Sequence, residues 1–134
     1  MRRRVSAARL HRDECGQSMV EFALVLPVLL LVLFAIVQFG VVFNRYVALT
    51  DAVRAGARKA AVSRQATDPV GTAKQAVIDA GGDITIDPAR IQVTSDWQPG
   101  DDVTVEATYD ASLDFGIVSI PLPSLDSKTK ERVE

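Results

Sequence analysis

The chain holds 134 residues with 15 Lys or Arg, 17 Asp or Glu and a net charge of −2, and it has a single Cys and a single His. That size accommodates one small domain beside a membrane segment and excludes a large active-site cleft between domains. The near-neutral total conceals an asymmetry, because residues 1–64 carry ten basic side chains against four acidic ones and residues 65–134 carry five against thirteen. A basic half flanking an apolar run faces lipid, and an acidic half reads as a solvated head; nucleic acid is not an expected partner.

Residues 1–16 form a basic leader containing Arg2, Arg3, Arg4, Arg9 and Arg12. His11 and Cys15 both lie in it, so no zinc ligand set, Cys–His pair or histidine triad can be assembled from the rest, and neither metal nor cofactor is expected. Cys15 precedes the apolar run, the wrong order for a lipoprotein signal. With no second cysteine it reads as an incidental thiol in a reduced tail.

Glu21 stands alone at the mouth of an uncharged run from Phe22 to Asn44, five residues after Gly16. An ionised carboxylate is costly in hydrocarbon, so it is held at the headgroup boundary or matched by a positive partner. If the chain were cut after Gly16, the new amine on Gln17 would lie about one helical turn from Glu21. Within one subunit or between neighbours, amine and carboxylate would then neutralise each other as helices pack, offsetting much of the cost of burying charge.

The run from 22 to 44 reaches roughly 34 Å as a helix, enough to cross a bilayer core. A cleaved secretory signal is the competing reading, but its apolar region is usually only about 7 to 15 residues. Pro27 lacks an amide hydrogen and crowds the carbonyl of Ala23, which predicts a kink or a loosened turn. Gln38 and Gly40 interrupt the apolar surface; they either pack against another helix or lie at the far interface. Five basic residues precede the span and Arg45, Arg54, Arg58, Lys59 and Arg64 follow it, so charge counting leaves orientation nearly tied. The short Arg-dense tail favours a cytoplasmic N-terminus.

The helix is expected to continue to about residue 64. Ala48, Ala52, Gly56 and Ala60 form a row of small residues at four-residue spacing, which fits close backbone approach either to another subunit or to the chain's own head. Asp68 followed by Pro69 starts a second, short helix over Pro69–Ala80, with Gly81 and Gly82 as its stop and Val70, Ala73, Val77 and Ala80 facing the core. Gly71 weakens its first turn.

Strands follow. Ile91, Val93, Ser95 and Trp97 alternate with polar residues, Pro99 and Gly100 mark a turn, and Val103, Val105, Ala107 and Tyr109 alternate again, which describes a hairpin. Leu113–Ile120 adds a candidate third strand before Pro121 and Pro123, and Ser127–Glu134 is an edge strand or a frayed tail. Asp79, Asp83, Asp87, Asp101 and Asp102 cluster near turns without the spacing of a calcium loop, and read as solvated turn carboxylates.

The segment Gly16-Gln17-Ser18-Met19-Val20-Glu21-Phe22, the apolar run with Pro27, and Ala55-Gly56-Ala57-Arg58 resemble the TadE-like pseudopilins of tight-adherence (Flp-type) pilus systems. The resemblance covers about residues 14–62 and is architectural beyond them. It implies that a prepilin peptidase cuts between Gly16 and Gln17 at the cytoplasmic face of the inner membrane. Glu21 would be the recognition acid, and Phe22 stands where related pilins often carry tyrosine. It also implies a cytoplasmic leader and an extracytoplasmic head.

The expected architecture is therefore α+β and pilin-like: a leader 1–16, a long helix 17–64 with its membrane span at 22–44, and a small head 65–134 with a short helix and an antiparallel sheet. The expected function is pilus assembly by helix packing, not catalysis, with prepilin peptidase, other pilins or pseudopilins, the assembly machinery and membrane lipid as partners. The alternative is an uncleaved, membrane-anchored extracytoplasmic binding protein of the cell envelope. Acid–base catalysis ranks below both, since nothing in the sequence places two carboxylates in one pocket.

Overall fold

Leu, Val and Ala dominate the first half of the chain, and the only proline there, Pro27, has a full turn of helix before it, so one long helix is the natural outcome. The structure, a computed structural model, describes residues 10–114 and 119–134. Its elements are α1 (Leu10–Val62), α2 (Pro69–Ala80), a 3-10 turn (Pro88–Arg90), β1 (Ile91–Thr94), β2 (Asp102–Tyr109), β3 (Ser112–Asp114), β4 (Ser119–Pro121) and β5 (Leu125–Arg132). The class is α+β. Residues 1–9 of the basic leader and 115–118 of the candidate third strand lie outside the described residues.

Contacts divide the chain into two units, Met1–Val37 and Gln38–Glu134. Within the first, α1 begins at Leu10, upstream of the expected residue 17, and passes through Gly16 and Pro27. One glycine costs a helix about 1 kcal/mol relative to alanine, too little to stop it between good formers.

The second unit holds the core. Leu49, Val53 and Ala57 of α1 pack with Val77 of α2, Ile91 of β1, Val103 and Val105 of β2, and Val133, all buried. α2 has the expected bounds because its signals agree. The Asp68 carboxylate accepts from the Gly71 amide at 2.8 Å, the Thr72 hydroxyl donates to the Asp68 carbonyl at 2.7 Å, and Pro69 occupies the first helical position. A Cβ at Gly71 would overlap the Asp68 carboxylate, so the residue that weakens the first turn also makes room for its cap. Asp68→Ala is expected to lower stability by about 1 kcal/mol. Denaturant unfolding of the full chain in detergent measures this, as a lower midpoint with unchanged slope. Ala73 and Val77 are buried as expected and Val70 is partly so, but Ala80, the last residue of α2, is exposed.

β2 is central in a three-stranded antiparallel sheet of order β1-β2-β5. Val105 lies opposite Val93 on one side and Thr129 on the other, so one face of all three strands meets the helices. The opposite face is polar, and Glu106 and Lys128 pair across it at 3.1 Å. Both ions are substantially exposed, so this pair contributes little. At the β1 start, Arg90 is paired with Asp110, whose hydrogen bond and charge hold the guanidinium above its ordinary value.

Two expectations about the sheet change, and one left open is decided. The alternation through Ser95 and Trp97 is not strand: β1 ends at Thr94, the Ser95 hydroxyl accepts from the Trp97 amide at 3.1 Å, and Trp97 has a φ of 56°. Leu113–Ile120 is not one strand but two, β3 and β4, which pair with each other and place Ser112 opposite Pro121. Proline has no amide hydrogen to give a ladder and is tolerated at such a margin. The last segment resolves to an edge strand, β5, beginning at Leu125.

Candidate processing and packing sites

Glu21 and Gln17 lie one helical turn apart on α1, and in the intact chain the side chain of Gln17, not its backbone, meets the acid. Its Nε2 donates to Glu21 Oε1 at 3.1 Å in an exposed setting. Gly16 is exposed, and a Cβ added to it would meet nothing within 4 Å. Phe22 is also exposed. The two residues expected to flank a cut, the expected recognition acid and Phe22 thus share an open stretch of helix.

Beyond Glu21 every side chain to Val37 is exposed, among them Phe22, Leu24, Leu31, Phe34 and Ile36. A stretch of α1 reaches a mean hydropathy of 2.9, and the helix is long and apolar enough to cross a membrane. An apolar surface this extensive is of the kind that lipid or other helices cover.

Gln38 is partly buried. Gly40 faces open space, so a Cβ there would touch nothing. Phe39 and Phe43 stack with ring centres 6.4 Å apart. The small-residue row behaves differently. Ala52, Gly56 and Ala60 are buried and Ala48 half-buried, and the neighbour of Gly56 is α2 of the same chain. A Cβ at Gly56 would overlap Val77 Cγ2 and lie 3.2 Å from the Ala73 carbonyl oxygen. Of the two partners open to this row, the chain's own head occupies it.

Leu49, Val53, Ala57 and Ala61, one position along from the row, are equally buried. They were missed because attention to small residues selected one line of a wider stripe; the ordinary three-and-four periodicity of apolar residues contains both. Arg54, Arg58 and Lys59 are exposed, Arg54 within 3.6 Å of Asp51.

The acidic turns do not converge. Among the described residues no three His, Cys, Asp or Glu side chains are grouped to hold a metal ion. Asp79 accepts from Gln75 Nε2 at 2.8 Å, and Asp87 caps the 3-10 turn by accepting from the Ala89 backbone amide at 2.9 Å. These are local turn and helix roles.

The family model described as TadE-like protein matches residues 16–58, which begin at the glycine of the Gly16–Glu21 stretch and end within the buried part of α1. This is a TadE-like segment. No curated protein and no solved structure matches the chain significantly. The family match stops before α2, so the head, whose packing against Gly56 is described above, lies outside it.

Proposed function

We propose that this protein is a single-pass pseudopilin of a tight-adherence (Flp-type) pilus system, cut after Gly16 by a prepilin peptidase and acting by helix packing without catalysis. The observation that carries the proposal is the Gly16, Gln17 and Glu21 constellation, solvent-open and immediately before a helical surface apolar on all sides. A peptidase must draw its substrate into an extended form, and glycine gives up helix more cheaply than any other residue except proline, by about 1 kcal/mol against alanine. Gly16 therefore marks the easiest place in this part of α1 to unwind.

On this reading the leader is cytoplasmic, α1 anchors the chain in the inner membrane, and the head is extracytoplasmic. The partners are the peptidase, other pilins or pseudopilins, the assembly machinery and lipid. After the cut, the Gln17 amine joins its side-chain amide as a donor beside Glu21. Mass spectrometry of protein purified from a strain with the pilus system is expected to find a mature chain beginning at residue 17; a chain that still begins at Met1 sinks the processing step.

The continuity of α1 through Gly16 favours a second reading, an uncleaved envelope anchor with a binding head. The two part company at Glu21, which an inert anchor does not need.

A further inference from the structure

We propose that Gln17, once it becomes the first residue of the cut chain, closes on itself to form a pyroglutamyl residue. This rests on the processing proposed above. In the intact chain the backbone nitrogen of Gln17 is an amide inside α1 and is not a nucleophile. Cutting after Gly16 turns it into an amine carried by the same residue as a primary amide. Attack across that distance closes a five-membered lactam, and two groups held on one residue react with the advantage of any intramolecular reaction.

The step balances without a cofactor. The amine lone pair attacks Cδ and a new nitrogen–Cδ bond forms. A proton passes from the attacking nitrogen to Nε2, the Cδ–Nε2 bond breaks, and ammonia leaves. No oxidant or reductant takes part.

The surroundings permit the closure. Gln17 is exposed, Gly16 has open space about it, and the amide's bond to Glu21 is a solvent-exposed one that water readily replaces. The consequence falls on Glu21. The nitrogen that donates to it in the intact chain is the nitrogen expelled, and the positive charge of the new amine disappears in the lactam. Any charge pair between the Gln17 amine and Glu21 is confined to the interval between cutting and closure. Thereafter residue 17 offers the carboxylate only a neutral lactam N–H, and the terminus is closed to aminopeptidases.

The test is the N-terminal peptide of the full-length protein, expressed with its pilus system and analysed by mass spectrometry. An isotope-labelled Gln17–Leu26 peptide with a free amine is carried through the same work-up. The expected result is a native peptide beginning at residue 17 and lighter by one ammonia while the labelled peptide stays intact. Gln17→Asn, whose closure would require a strained four-membered ring, is expected to keep a free amine. A native peptide that begins at residue 17 with its amine and amide intact overturns the cyclisation and leaves the cut standing. Equal closure of the labelled peptide also overturns it. A chain beginning at Met1 overturns both.

Discussion

Gly56→Leu is expected to destabilise the head strongly, lowering the unfolding midpoint of the full chain in detergent. Even the first atom of a side chain at this position overlaps Val77 Cγ2, and the other near neighbour is a backbone oxygen, the Ala73 carbonyl, which cannot swing aside. Overpacking a filled core costs about 1 to 3 kcal/mol, occasionally more, and leucine adds three further carbons behind the clash. A domain this small has only a few kcal/mol to lose.

Gly56→Ala separates two opposed effects. Helix propensity favours alanine by about 1 kcal/mol, whereas the collision with α2 opposes it. The collision is expected to win, so that Gly56→Ala also lowers the unfolding midpoint of the full chain in detergent. The double variant Gly56→Ala/Val77→Ala should then lose less than the sum of the two single losses, because Val77 supplies the colliding methyl. A midpoint unchanged in Gly56→Leu would show that α1 and α2 are not packed at this point.

Glu21→Ala is expected to abolish pilus assembly while leaving membrane insertion intact. Removing a carboxylate from the edge of an apolar helix makes insertion easier, since ionised groups oppose it. A loss of assembly therefore cannot be ascribed to failed anchoring. The form that accumulates divides the two roles of the acid. Uncut protein in the membrane assigns Glu21 to recognition by the peptidase, and cut but unassembled protein assigns it to packing between mature helices. Assembly at the wild-type level, with the chain still beginning at Met1, would favour the uncleaved binding protein instead.

α2 could be read to the residue because capping acid, proline and stopping glycines are local signals, and none of them depends on what the helix packs against. The β1–β2 hairpin was legible for a similar reason: Ile91, Val93, Val103, Val105 and Ala107 alternate on an apolar face. β5 was not. Its inward positions are Leu125, Ser127, Thr129 and Glu131, so hydrophobic period cannot distinguish a paired strand from a polar tail. The division of Leu113–Ile120 into β3 and β4 was equally hidden, because three-residue strands carry too few side chains to show a period. At the candidate sites the sequence located the small-residue face of α1 but not its occupant. Spacing reports which residues share a surface, and only the fold brings Val77 to Gly56. The Gln17 side-chain bond to Glu21 was also missed, although a Gln four residues before an acid on a helix is a recognised pairing.

The way β5 closes the head sets an order on its biosynthesis. Val133 is buried in the core, its amide donates to the Asp101 carbonyl at 2.8 Å, and the Glu134 amide donates to the Ala61 carbonyl at 3.1 Å. One wall of the core is thus made from α1 and another from residues far downstream of it. Contacts so distant in sequence form late, after the loop between them has been closed. Until Leu125–Val133 have been synthesised, the inner face of α1 at Leu49, Val53 and Ala57 waits uncovered on that side.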